Sequence, residues 1–157
     1  MGYIDDNLMS GEQVVHRSKL HWVIFVGPII FSVIAFMFFL MIFFVMELVN
    51  VLATAGGFFL LIAIIWGISA FISFKTSEFG ITSKKVLIKV GFIKRESLET
   101  LLTKVEGIQV NQGIFGRIFN YGTIIVKGTG GTGNPFDNIE APLEFRKKVQ
   151  EQITSIQ

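Results

Sequence analysis

The residues whose types and spacing most suggest chemistry lie in Lys127–Phe136, KGTGGTGNPF, which contains a literal G-x-G-x-x-G. Glycines at that spacing serve a dinucleotide when they leave a strand and open directly into a helix, whose N-terminal N–H groups face the pyrophosphate. A strand pattern does precede the loop, in GTIIVKG (Gly122–Gly128). After the loop, however, come Asn134-Pro135, a turn pair, and another short strand signal at Phe136–Ile139, and the helical pattern waits until Pro142. There is no βαβ unit and no Gly-Lys-Ser/Thr ending. A tight hairpin needs the same glycines for its mirror-region backbone angles. The loop therefore reads as a β-turn, and no cofactor is expected.

Other chemistry-bearing residues assemble no better. The two histidines, His16 and His21, have no cysteine and no clustered carboxylates to complete a metal site. No nucleophile, base and orienting group emerge from the spacing. Catalytic, cofactor-binding and metal-ligating residues are all expected to be absent, and the chain is read as non-enzymatic. Residues 75–157 carry 12 Lys/Arg against 8 Asp/Glu, without an aromatic–basic nucleic-acid motif. That modest excess suits an anionic lipid surface better than nucleic acid.

The elements that must position these residues are of two textures. Between Trp22 and Phe74 there is a single charge, Glu47. Trp22–Met46 and Val51–Phe74 are each long enough to cross a hydrocarbon core of about 30 Å at about 1.5 Å per residue. The first run is too long for a signal-peptide core and comes after Asp5, Asp6 and Glu12, so it is expected to stay in the mature chain. Arg17, Lys19 and Lys75 flank the pair, whereas the connection Glu47–Asn50 has no cation. The positive-inside rule then puts both termini in the cytoplasm of a multi-pass inner (cytoplasmic) membrane protein. Gly56, Ala63, Gly67 and Ala70 form a small-residue strip on the second span. It suits close packing against the first span, or against another subunit, with the former preferred.

After Lys75 come short strands with turn signals: SEFGIT (Ser77–Thr82), KVLIKV (Lys85–Val90), IKRESL (Ile93–Leu98), VEGIQVNQ (Val105–Gln112) and GTIIVKG. From Pro142, Phe145, Val149, Ile153 and Ile156 recur at helical spacing, which predicts an amphipathic helix laid on the sheet. Glu12–Leu20 is a candidate strand at the sheet edge. The expected organisation is 1–21 as a cytoplasmic N-terminal segment, 22–74 as a transmembrane helical hairpin, and 75–157 as a cytoplasmic, mainly-β domain.

FGITSKKVLIKVGFI (Phe79–Ile93), KVEGIQVNQGIFGRIFNYGTIIVKGTGG (Lys104–Gly131) and NIEAPLEFRKKV (Asn138–Val149) resemble the bacterial pleckstrin-homology-like (PH-like) membrane proteins, the YdbS-like group. The likeness covers essentially the whole chain. Its most specific part is Gln112-Gly113-x-x-Gly116-Arg117 running into Tyr121-Gly122-Thr123. Where that group usually has Thr-Asn-Arg-Arg at its first turn, this chain has Thr82-Ser83-Lys84-Lys85, which keeps the charge without arginine's bidentate fork. The resemblance implies a bent antiparallel sheet or partial barrel closed by the C-terminal helix, a binding or assembly role, and a homo-oligomer.

Geometry adds an expectation about sides. A first strand of five or six residues at about 3.3 Å each carries Lys84 and Lys85 up to about 20 Å from the bilayer, beyond a Debye length of about 8 Å. Lys75, Phe92, Lys94 and Arg95 are then expected to face the leaflet, and Lys84 and Lys85 the cytosol or a partner. The leading functional expectation is a membrane-anchored module binding lipid, a membrane or cytosolic protein, or its own copies. The alternative is a subunit of an oligomeric pore or transporter.

Overall fold

The computed structural model describes residues 2–91, 95–129 and 133–156. Two compact units form, one of residues 22–72 and one joining 1–21 with 73–157.

The first unit is helical. A 3-10 turn over Trp22–Phe25 leads into α2 (Val26–Met41), and a second turn over Met46–Leu48 leads into α3 (Val49–Thr76); α1 is the short helix Tyr3–Asp6. The apolar stretches Trp22–Met41 and Met46–Thr76, 20 and 31 residues, are each long and apolar enough to cross a membrane. The first helix stops earlier than the composition implied. Phe43, Phe44 and Val45 lie in a turn whose N–H groups bond back to Leu40 and Met41, while Asn50, expected in the connection, is already helical. Hydropathy cannot mark that end, because the turn residues are as apolar as the helix before them.

Small residues let the two helices approach. A Cβ on Gly56 would meet Phe38 and Phe39 at 3.2–3.3 Å, and one on Gly27 would overlap the Trp66 ring. Gly67 faces Pro28, and Ala35, Ala63 and Ala70 are buried. Most larger side chains point outward, including Ile29, Phe36, Leu61 and Ile65. Ser32 and Thr54 return their hydroxyls to their own helices, at Pro28 O (2.9 Å) and Asn50 O (2.7 Å).

The second unit, the β unit, holds two antiparallel sheets rather than one closed barrel. β1 (Val14–Ser18), β2 (Glu78–Thr82), β3 (Lys85–Val90) and β4 (Glu96–Leu101) pair in that order; β5 (Val105–Asn111), β6 (Tyr121–Gly128) and β7 (Pro135–Glu140) form the other. The candidate strand before the hairpin is thus an edge strand: Ser18 pairs with Phe79 and Arg17 with Gly80. An isolated bridge from Leu20 to Ile139 ties the same segment to the second sheet.

β4 begins three residues later than the alternation suggested, because its register on β3 sets Val90 against Glu96 and Lys85 against Leu101. The connection takes in residues 91–95, of which 92–94 lie outside the described residues.

Alternation sorts the first sheet into two faces. Phe79, Ile81, Val86 and Ile88 point to the core, where the Phe79 ring meets Phe136 edge-on at 6.5 Å. Leu87 is equally buried on the opposite face, because the N-terminal segment lies across it. Ile4 packs on Gly80, where a Cβ would come within 2.7 Å of its Cδ1. The Tyr3 and Ile4 N–H groups donate to the Glu78 carboxylate, and Lys89 sits over the Tyr3 ring.

The C-terminal helix, α5 (Pro142–Ile156), buries Phe145 and Val149 fully against β5, β6 and β1 and leaves Ile156 half exposed. A further helix, α4 (Ile114–Phe119), lies between β5 and β6.

Candidate functional site

The glycine-rich stretch leads from β6 into β7, an antiparallel partner strand, and not into a helix. Gly130, Gly131 and Thr132 lie outside the described residues. The glycines on either side answer to backbone. A Cβ on Gly133 would sit 2.4 Å from Val126 O and one on Gly128 3.3 Å from Lys104 O, while Thr129 N–H donates to that same Lys104 carbonyl. Among the described residues no three His, Cys, Asp or Glu side chains gather to hold a metal.

Of the basic residues singled out in the sequence, Lys84 and Lys85 separate. Lys84 is exposed at the turn and reaches Ser10 O. Lys85, expected to face the cytosol or a partner, is instead 2% exposed. Register explains this correction: Lys85 shares Leu87's face of β3, and that is the face the N-terminal segment covers. A buried ammonium costs several kcal/mol unless it is paired and hydrogen-bonded. Lys85 Nζ donates to Asn7 O at 2.7 Å and to Glu99, with the Glu12 carboxylate 3.8 Å away. Glu12 is itself buried, accepting the Met9 N–H at 2.6 Å and the Thr82 hydroxyl. This cluster fastens the N-terminal segment to the sheet, a structural role that absorbs Lys85.

Lys75 lies exposed in the last turn of α3, where a cation complements the helix C-terminus. Arg95 is exposed just before β4. Phe92 and Lys94 lie outside the described residues. Gly91, which opens their connection, donates its N–H to Ser77 Oγ at 3.2 Å, beside the point where the chain leaves α3. Lys84 sits at the opposite end of the β2–β3 hairpin.

The most elaborately built corner is Gln112–Thr123, the stretch that carried the resemblance. Gly116 is buried, and a Cβ there would come within 2.6 Å of Tyr121 O, so α4 rests on the backbone through its one small residue. Gln112 Nε2 donates to both Gly116 O (3.2 Å) and Tyr121 O (3.0 Å). Asn120 ends the helix in the left-handed region at φ 58°, a conformation asparagine tolerates. Gly122 is equally constrained, 2.7 Å from Asn111 O at the would-be Cβ.

What the helix presents outward is apolar: Ile114, Phe115, Ile118 and Phe119 are 77%, 68%, 67% and 47% exposed, with Arg117 also exposed. Sequence reading missed this surface. Gly113 and Asn120, a start and a stop around a short apolar run, were the available signal.

The two histidines are absorbed into packing. His16 meets the Phe145 ring edge-on, and His21 stacks on Tyr121 at 5.1 Å between ring centroids. Burial holds the His21 pKa below the usual imidazole value. Nearby Glu140 and a hydrogen bond to the Phe119 backbone act weakly in the other direction. On the surface, Arg17 pairs with Asp5 and holds that carboxyl below the usual carboxylate range.

A groove of about 690 Å³ lies beside this pair, with Ser77, Glu78, Asn120, Glu140 and Glu144 among its walls. A family model described as a bacterial PH domain matches residues 28–154, from within α2 to near the end of α5. No curated protein and no solved structure gives a match.

Proposed function

From the premise that this chain belongs to the bacterial PH domain family, we propose that it is a two-span protein of the cytoplasmic membrane. It holds a non-enzymatic binding or assembly module at the inner face. One observation carries this reading: β1, which precedes the apolar helices, pairs strand to strand with β2, which comes after them. Strand pairing between the two segments that flank the apolar helices requires both flanks on one side of any bilayer the helices cross. The outward-facing apolar side chains of α2 and α3 give those helices a lipid-compatible surface. Cations in Arg17, Lys19 and Lys75 at the flanks, and none in the connection, favour the cytoplasmic side. The placement of both histidines against aromatic rings supports a structural rather than catalytic use. The partner class is lipid, protein or further copies of the chain, with homo-oligomerisation as the assembly mode to test first.

Single-cysteine labelling tests the topology cleanly, since the chain has no native cysteine. A membrane-impermeant maleimide added to spheroplasts should label Phe44→Cys at once. It should reach Ser10→Cys and Glu106→Cys only after lysis. Labelling of Ser10→Cys or Glu106→Cys before lysis would overturn the orientation. Opposite behaviour of the two would overturn the β1–β2 pairing.

A further inference from the structure

The face of α4 that carries Ile114, Phe115 and Ile118 is turned to the outside of the β unit. At about 100° per residue, Ile114, Phe115, Ile118 and Phe119 span an arc of about 140°, with Gly116 beyond one edge and Arg117 beyond the other. Gly116 faces the protein, so the arc faces away from it. Contiguous apolar surface of this kind marks an interaction site, and two facts of the β unit say with what.

First, α4 is tied to the last residue before the first apolar helix. His21 stacks on Tyr121 and bonds the Phe119 backbone, and its own N–H donates to Asn138 O at 2.6 Å. Trp22 is the very next residue. Second, Asn120, the cap of α4, and Ser77, just past α3, line the same groove. The segment leading into the apolar helices therefore touches α4, and the one returning from them borders a groove that the cap of α4 also lines.

We infer that α4 is an interfacial anchor, its apolar arc seated in the headgroup–acyl boundary of the leaflet that the spans enter, with Arg117 reaching lipid phosphates. This rests on the two-span reading above. A six-residue helix is about 9 Å long, enough to lie in that boundary but not to span it. Apolar side chains on one arc and a cation at its edge are the composition such a seat takes. A second copy fits less well. A whole aromatic side chain offers about 150–250 Å², so four partly exposed residues supply a few hundred Å², below the about 800 Å² per partner of a stable interface. The rigid footing on Gly116 and Gln112 then has a purpose, because it fixes how the β unit stands on the bilayer.

The test uses the full chain in vesicles of phosphatidylcholine and phosphatidylglycerol. Single nitroxide labels are placed at 115, 118, 61 and 106, and collision with oxygen is compared with collision with a water-soluble nickel chelate. Labels at 115 and 118 should lose nickel access and gain oxygen access as the span position 61 does, while 106 on β5 stays nickel-accessible. Lipid-like behaviour at 61 with nickel access at 115 and 118 equal to that at 106 would overturn the anchor and leave the spans standing. Nickel access at 61 would overturn the spans themselves, and the anchor with them. Exclusion of both reagents at 115 and 118, with spin–spin broadening between copies, would assign the face to a second chain instead. Two label sites on the same arc guard against a local distortion at either one.

Discussion

α4 and α5 each carry an apolar face, yet they dispose of it in opposite ways. α5 turns Phe145 and Val149 fully into the core and its charges, Lys147, Lys148 and Glu151, outward. α4 meets the domain through a glycine and leaves two phenylalanines and two isoleucines outside. The difference lies in what touches the sheet: side chains hold α5, whereas backbone contact and one glutamine hold α4. A helix docked by its backbone is free to carry an apolar face for another phase.

The comparison breaks if truncation costs the two helices alike. Phe145→Ala should destabilise the β unit most, by about 3–5 kcal/mol, visible as a large drop in the thermal midpoint in detergent micelles. Next comes the footing of α4. Gly116→Ala forces a methyl group against Tyr121 O and should cost about 1–3 kcal/mol, with faster amide exchange concentrated at 113–122. An exchange pattern spread evenly over the β unit would refute the local footing.

A smaller effect is expected from protonation of His21, which joins α4 to the entry segment. Its folded-state pKa is depressed by burial, so the unfolded chain binds the proton more readily. The His21 contribution is therefore intact above about pH 6.5 and declines as pH falls through that value toward the folded-state pKa. His21→Gln should flatten the stability profile in that window. An unchanged slope would place the titrating group elsewhere. The smallest effect, within about 0.5 kcal/mol, is predicted for Phe115→Ala on the thermal midpoint in micelles, because that side chain is exposed and packs into no core.

Much of the fold was legible in the chain. KVLIKV is the strand its alternation suggests, Lys85–Val90, and Pro142 does open the last helix. Both rest on local periodicity, which short-range geometry enforces. β4 was legible only in part, since Ile93–Leu98 and Glu96–Leu101 differ by a register that pairing with β3 decides. Lys85 was misplaced for a related reason. Alternation says which residues share a face but not that residues 2–12 will fold over it, and so it cannot separate a buried cation from an exposed neighbour. The apolar turn after Met41 escaped notice because nothing polar marks it.

By itself the sequence determined the two apolar runs, the change to strand texture after Lys75, and a glycine loop with no helix behind it. These come from composition and spacing, which act over a few residues. Only the tertiary structure decided that β1 pairs with β2 at the edge of the first sheet, that Lys85 is sealed between Asn7, Glu12 and Glu99, and that α4 stands on Gly116 with its phenylalanines outside. Each of these depends on segments distant in the chain meeting, and the free energy of such a meeting is set by the packed surface as a whole rather than by any stretch that contributes to it.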